Sequence, residues 1–342
     1  MAAKYVYAIA QRGVYTDGMK TRVRVNWGWG LAAGALVLLT VAWVVYAVQK
    51  DDLAAGQSVH SIVVDQRERA YQTYVPKSLP GGKVPLVVML HGALGSGQQA
   101  EKAYGWNELA DKYGFIVAYP DGLNRAWAVS DRCCGPPARD NLNDVAFITS
   151  MISDIQKKAA IDMGRIYVAG MSNGGALAYR LACDTDIFAA VGVVSATLFG
   201  ECPNPHKVSV MHIHGKEDNI FPYGGGLGSV GENRDGWLAD LAEARIPSIP
   251  DLMSMWRKVN NCAPSTVAIT GVIRKAVATC AEDRDVVFIV IDGAGHQWPG
   301  SKASEEAGKL LGFDSPSTDL NATETLWNFF AKHRTVSRTA KE

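Results

Sequence analysis

The stretch that most restricts what this chain can fold into is Arg165 to Asp184, RIYVAGMSNGGALAYRLACD. Arg165-Ile-Tyr-Val-Ala169 is a short apolar, β-branched run of the kind that forms a buried parallel strand. Gly174 to Cys183 spaces Leu177, Ala178 and Leu181 like the inner face of a helix. Between them stands Gly170-Met-Ser-Asn-Gly174, a G-x-S-x-G. A serine on a strand-to-helix turn takes a strained backbone, and the turn closes only where the residues two before and two after it have little side chain. That geometry lifts the hydroxyl clear of the sheet and aims the helix N-terminus at an anion formed on attack. The bare pattern occurs by chance in many chains. The strand before it and the helix after it make Ser172 a candidate nucleophile rather than a structural turn.

The rest of the chain supplies a sheet to carry such a turn. Val59–Val64 and Ala70–Val75 read as antiparallel strands around the polar turn Asp65 to Arg69. Continuous apolar strands are expected at Pro85–Leu90, Phe115–Ala118, Ala190–Ser195, Val208–Ile213 and Val286–Ile291. Helices are expected over Gly97–Tyr113, Leu142–Ala160 and Thr323–His333, with Val145, Ile148, Ile152 and Ile155 on one face of the second. Residues 223–255, rich in Gly and then Pro, read as an irregular insertion. Strands alternating with helices imply a mainly parallel sheet covered on both faces, with the antiparallel pair at its N-terminal side. One catalytic domain over residues 59–342 suffices, after a linker at 49–58.

Gly28 to Val48 is a 21-residue run without a charge, long enough to span a bilayer as a helix. Lys4, Arg12, Lys20, Arg22 and Arg24 precede it against only Asp17, which puts a basic segment, residues 1–27, on the cytoplasmic side and the remainder outside. Met19 opens a second plausible start, and a cleaved signal and an uncleaved anchor both fit. Export suits the even set of cysteines at 133, 134, 183, 202, 262 and 280. Cys262 and Cys280 flank one irregular region and make the first expected pair. Cys133 and Cys134 are expected to staple their loop to Cys183 and Cys202, in either order. With zero formal net charge and no basic stripe beyond the N-terminus, nucleic acid is not an expected partner.

A serine hydroxyl needs a base, and the base an acid that fixes its tautomer. In a sheet of this type ligands meet the carboxyl ends of the strands. Two strands after Ser172 end in suitable groups: Val208–Ile213 runs into His214-Gly-Lys-Glu-Asp218, and Val286–Ile291 into Asp292-Gly-Ala-Gly-His296. Ser172, Asp218 and His296 follow in the chain order of an α/β-hydrolase. His60, His206, His212, His214 and His333 are weaker choices of base, and Glu217 and Asp292 compete for the acid. The oxyanion donors are expected to be the N–H groups of Asn173 and Ala93, with Gly92 allowing close approach. His91 is read as bracing that loop. His212 and His214 are read as facing opposite sides of their strand, which argues against a metal, and no cofactor is called for. Asn143-Asp144 and Asn321-Ala-Thr323 read as helix caps, the latter in preference to a glycosylation sequon.

Collected, the motifs resemble the extracellular poly(3-hydroxybutyrate) depolymerase and feruloyl esterase group of α/β-hydrolases, within or near carbohydrate esterase family 1. They are Val88-Met-Leu-His-Gly92, Ala118-Tyr-Pro-Asp-Gly122, Trp127 with Cys133-Cys134-Gly135, Asp144-Val-Ala-Phe-Ile148, Gly170-Met-Ser-Asn-Gly-Gly175, His212-Ile-His-Gly215 with Asp218, Trp256 before Asn261-Cys262, and Gly295-His-Gln-Trp-Pro-Gly300. The resemblance spans about Val59 to His333. It implies a serine esterase acting through Ser172, Asp218 and His296, with Trp298, and less strongly Trp127, walling the acyl or alcohol pocket. Nothing after His333 matches the family's linker and polymer-binding domains, so soluble esters, oligomers or amorphous polymer are the expected substrates. A serine peptidase of the same fold, a silent surface binding module and an acyltransferase to envelope sugars are the rival readings.

Overall fold

The apolar runs of the sequence take their places as strands β3 (Val84–Leu90), β4 (Ile116–Pro120), β5 (Ile161–Met171), β6 (Ala190–Val194), β7 (Ser209–Gly215) and β10 (Asp285–Ile291). The structure is a computed structural model describing residues 52–130, 133–226, 228, 246–302 and 314–335. With β1 (Gly56–Val64), β2 (Arg67–Val75), β8 (Thr266–Thr270) and β9 (Ile273–Thr279), they form one ten-stranded sheet in the order β1-β2-β4-β3-β5-β6-β7-β10-β9-β8. The six strands from β4 to β10 pair in parallel. Antiparallel pairs close both sides, β1 and β2 on one, β9 and β8 on the other. This is the α/β-hydrolase architecture that the alternation of elements implies.

Because side chains alternate along a strand, each central strand feeds two cores. Leu86, Val88 and Leu90 pack with Phe147, Met151 and Ile155 of helix α4 (Asp144–Lys158) and Leu177 of α5 (Asn173–Asp184). Val87 and Met89 point the other way, to Tyr104 of α1 (Gly97–Tyr104), Trp106 of α2 (Trp106–Tyr113) and Phe330 of α7 (Ala322–Phe330). Met253 and Trp256 of α6 (Ile249–Val259) complete the first core. The short helix α3 (Gly135–Arg139) follows the cysteine pair.

Several boundaries differ from the sequence expectation. β1 starts at Gly56, so the last residues of the expected linker belong to the sheet. The helix expected over 97–113 breaks at Gly105, whose φ of 73° ends α1 and starts α2. The stretch 223–255 was expected to be irregular, yet α6 begins inside it, where Ser248 caps the Asp251 N–H at 3.1 Å ahead of a first-turn proline. The segment between Cys262 and Cys280 is the β8–β9 hairpin, its strands joined across Gly271 and Val272. Its disulfide forms as expected. Cys133 and Cys134 do not reach across to the other pair. They join each other, while Cys183 joins Cys202 at an ordinary Cα separation of 5.6 Å.

Residues 28–48, expected to enter or cross a membrane, lie outside the described residues. Among the described residues no helix is long and apolar enough to cross one.

Candidate active site

β5 ends at Met171 and α5 begins at Asn173, which leaves Ser172 alone on the turn at φ 55° and ψ −125°. A non-glycine residue in such a conformation costs on the order of 1–3 kcal/mol. Two glycines make the turn possible: a Cβ on Gly170 would strike the Gly174 carbonyl, and a Cβ on Gly174 would strike the carbonyls of Leu90 and His91. The Ser172 N–H donates to Val194 O at 3.0 Å, tying the turn to the end of β6.

The loop after β3 lies against this turn, with the Gly92 α-carbon facing the Ser172 Cβ. His91 braces it. Its Nε2 accepts the Gly122 N–H at 3.0 Å, which leaves the proton on Nδ1 to donate to Gly92 O at 2.7 Å. Burial lowers the His91 pKa to about 4, so the ring is neutral. The Leu94 N–H donates to Arg125 O at 2.8 Å and fixes the far side of Ala93.

The side chain of Asn173 holds the neighbouring loop, a role that no sequence motif signals. Its Oδ1 accepts the Trp127 N–H at 2.7 Å and its Nδ2 donates to Trp127 O at 3.0 Å. The Trp127 indole N–H donates to His91 O at 2.8 Å, and the ring lies 4.7 Å from that of His91. Asp144 is not simply a cap. Asn143 caps α4 at Ala146 N–H, 2.9 Å away, whereas Asp144 is buried between the Arg69 guanidinium at 2.5 Å and the Ala128 N–H at 2.7 Å. Burial raises its carboxyl against the pull of Arg69. Asp144 therefore fixes the segment through which Trp127 grips Asn173.

Asp218 and His296 meet across the ends of β7 and β10. His296 Nδ1 and Asp218 Oδ2 are 2.9 Å apart and both side chains are buried. The other oxygen, Oδ1, accepts the N–H groups of Ile220 at 2.9 Å and Phe221 at 2.8 Å. Burial pushes the Asp218 carboxyl up. The neighbouring His296, its hydrogen bond, His214 and the Phe221 N–H outweigh burial and hold the group below its ordinary value. The loop that carries His296 is tied to the part of the sheet that carries Ser172: the Ser195 hydroxyl, one residue past β6, donates to Gln297 O at 3.0 Å. From the opposite side Asp314 Oδ2 accepts the His296 N–H at 2.7 Å, and the Asp314 N–H returns a bond to His296 O at 3.2 Å. Nothing in the sequence marked Asp314, which lies 18 residues past the histidine in no motif.

Glu217 and Asp292 line a surface cavity of about 540 Å³ with Asn219 and Asp319. His333 sits by Asp285, at the opposite end of β10, and His60 lies within β1 beside Ser58 and Thr73. The expectation that His212 and His214 face opposite sides of β7 is corrected. Residues two apart on a strand return to the same face, and their rings are hydrogen-bonded at 2.9 Å. Trp298 is 2% exposed, stacked on Tyr104 at 4.5 Å with its N–H on the Thr323 hydroxyl at 3.0 Å. Trp127 is buried too. The two indoles belong to different cores, Trp127 to the one that holds Phe147 and Trp298 to the one that holds Tyr104. Asn321 caps α7 at Glu324 N–H, 2.9 Å away, as expected.

A solved acetyl xylan esterase from Aspergillus awamori superposes with a TM-score of 0.51 over 75% of this chain and 100% of its own, at 16% identity, which shows the fold. The family profile "Esterase PHB depolymerase" matches residues 69–221. NocK of Nocardia uniformis subsp. tsuyamanensis, which carries the name of an esterase, is 29% identical over 270 residues, 72% of this chain and 75% of NocK. Feruloyl esterase B of Piromyces equi is 28% identical over 65% of this chain; the match spans only 41% of that enzyme. The chain has the α/β-hydrolase fold, and its likenesses are to carboxylic-ester hydrolases. Among these, they lie with the poly(3-hydroxybutyrate) depolymerase and feruloyl esterase-like group.

Proposed function

We propose that the chain hydrolyses carboxylic esters through an acyl-enzyme on Ser172. The observation that carries this reading is the buried 2.9 Å hydrogen bond between Asp218 and His296 at the carboxyl edge of the sheet that bears the Ser172 turn. His296 takes the hydroxyl proton as the Ser172 Oγ bonds to the ester carbonyl carbon. It then gives that proton to the leaving alkoxide as the tetrahedral intermediate collapses. Asp218 stays ionised, holds the Nδ1–H tautomer and offsets the imidazolium charge. The N–H groups of Asn173 and Ala93 receive the oxyanion; Asn173 is steadied by its two bonds to Trp127, and Ala93 by the His91 and Leu94 anchors on either side. Water, deprotonated by His296, releases the acid and restores Ser172. Trp298 and Trp127 form the floor under the acyl or alcohol group.

The substrates proposed are short-chain and feruloyl or acetyl esters of sugars, or 3-hydroxybutyrate oligomers, the ester types named among the relatives. Export is part of the proposal and rests on three disulfides, with residues 28–48 as the segment that directs it. The test uses the full-length chain and Ser172→Ala on p-nitrophenyl butyrate, methyl ferulate, acetylated xylan, a 3-hydroxybutyrate trimer and a peptide anilide. Ester cleavage by the parent and a fall of about 10⁴-fold or more in the variant are expected. Ester activity that survives Ser172→Ala would end the proposal, and anilide cleavage without ester preference would make the chain a peptidase. The ordering of trimer, ferulate and xylan identifies the substrate class.

A further inference from the structure

Behind Asp218 lies a buried file of polar rings that the acyl-transfer steps do not use. The Tyr179 hydroxyl of α5 is 2.6 Å from His212 Nδ1. His212 Nε2 is 2.9 Å from His214 Nδ1. His214 Nε2 is 2.8 Å from Phe221 O and 3.6 Å from Asp218 Oδ2, the oxygen that also meets His296. All three side chains are shut off from solvent.

The proton positions follow from the last member. A carbonyl oxygen only accepts, so His214 carries its proton on Nε2 and presents a bare Nδ1. His212 must then donate from Nε2, which leaves its Nδ1 to accept from Tyr179. Met253 Sδ, 3.7 Å from the tyrosine oxygen, is the other acceptor available. Donation there would turn two ring lone pairs towards each other at 2.9 Å unless a charge were buried. With both rings neutral only one arrangement works, and every N–H points towards the turn that carries Asp218. The titratable groups facing the pair are Tyr179, Asp218 and His296; Phe288, Phe221 and Trp256 supply apolar surroundings.

Resting on the Ser172–His296–Asp218 reading, we infer that Tyr179, His212 and His214 are positioning residues that fix one tautomer of His214. The His214 Nε2–H thereby pins the 218–221 turn and directs a dipole at the acid's shared oxygen. Buried histidines that only satisfied each other would need no particular end. Here the file ends on the turn and the oxygen that orient the base. Successive hydrogen bonds in a low-dielectric interior strengthen one another, so the tyrosine hydroxyl acts on Asp218 through two rings.

The experiment compares full-length His214→Phe, His214→Gln and Tyr179→Phe with the parent, and records ¹⁵N-histidine NMR spectra of the parent from pH 5 to 8. Losing a hydrogen bond that serves a charged group should lower kcat about 10- to 100-fold in His214→Phe, with KM changed less than about twofold. His214→Gln keeps a donor at the Nε2 position and should recover most of kcat. Tyr179→Phe should fall in between. The spectra should show His212 and His214 as neutral Nε2–H tautomers that do not titrate. Parental kcat in a folded His214→Phe, or an Nδ1–H or titrating His214, overturns the inference, and the spectra decide it should that variant not fold. Ester activity persisting in Ser172→Ala would instead remove the triad reading, with the tautomer result standing apart from it.

Discussion

Ser172 sits on a five-residue turn packed against the end of β3, whereas Asp218 and His296 reach each other across 78 residues of chain. At the Ser172 turn itself the constraints are backbone atoms: the carbonyls of Leu90, His91 and Gly174 leave no room for a side chain at Gly170 or Gly174. Between Asp218 and His296, backbone contact at Gly215, where a Cβ would strike the Ala294 and Gly295 carbonyls, is joined by side chains from distant segments: the Ser195 hydroxyl, the Asp314 carboxylate and the His214 ring. A backbone cage cannot yield without unfolding the sheet end. A set of side-chain braces can lose one member and shift by a fraction of an ångström. Substitutions on the two sides should therefore fail in different ways.

The sharpest contrast is Gly170→Ala. Its Cβ meets backbone that cannot move aside, so the cost should exceed about 4 kcal/mol and lower Tm by about 10 °C or more. Thermal melts check this, and a variant melting like the parent would show that the cage is looser than the contacts require. Asp218→Asn should spare the fold, because an amide oxygen still accepts from Ile220 and Phe221. Its NH₂ would face His296 Nδ1 and impose the wrong tautomer, so kcat should fall about 10⁴-fold at near-parental Tm. Glu217→Asn, on the surface cavity, should leave kcat unchanged. If the two variants lost activity alike, the acid would be misassigned.

His91 brings pH into the comparison, since it braces the nucleophile's side while neutral. Its folded pKa of about 4 lies below the ordinary 6.5, so between those values the unfolded chain binds more protons and stability rises with pH. The contribution is complete above about pH 6.5 and is lost as pH falls towards 4, with a full size on the order of 3 kcal/mol. His212 and His214, also lowered by burial, act in the same sense. His91→Gln, whose amide oxygen can still accept from Gly122, should flatten the decline in unfolding free energy between pH 6.5 and 4 without abolishing it. Denaturant titrations at matched pH read the difference, and identical slopes would contradict it.

The same division governs how much of the molecule was legible in the sequence. The six parallel strands declared themselves because each is a continuous apolar run, and the G-x-S-x-G turn because its requirements are local. Asp218 and His296 could be picked as the candidate pair because each follows such a strand. What escaped was set by tertiary contact. Asp314 and Ser195 belong to no motif, and the grip of Asn173 on Trp127 spans 46 residues. The β8–β9 hairpin was missed although Thr266-Val-Ala-Ile-Thr270 before Gly271 is a fair strand-and-turn signal. Its edge strand is exposed along its whole length and shows no buried face to reveal a period. The His212–His214 error was one of parity, since a spacing of two on a strand means one face. The cysteine pairing was misjudged because the adjacent Cys133 and Cys134 join each other and leave Cys183 to Cys202, a partition that spacing does not encode.

The smallest expected effect separates the two kinds of constraint most cleanly. Gly295 and Gly170 both lack room for a Cβ, but the obstacle at Gly295 is the exposed carboxylate of Asp314, not backbone. In Gly295→Ala that carboxylate swings away and the fold survives, at the cost of the bond it accepts from the His296 N–H. The base's loop then loses one of its braces and keeps the tie between Ser195 and Gln297. A fall in kcat of about tenfold is expected, with Tm within a few degrees of the parent, and Asp314→Ala should reproduce it. Because both changes remove the same bond, the double variant should be no slower than either single one. Additive losses in that cycle would mean that Gly295 limits the loop through its own backbone. The His296 loop would then be caged by backbone as the Ser172 turn is.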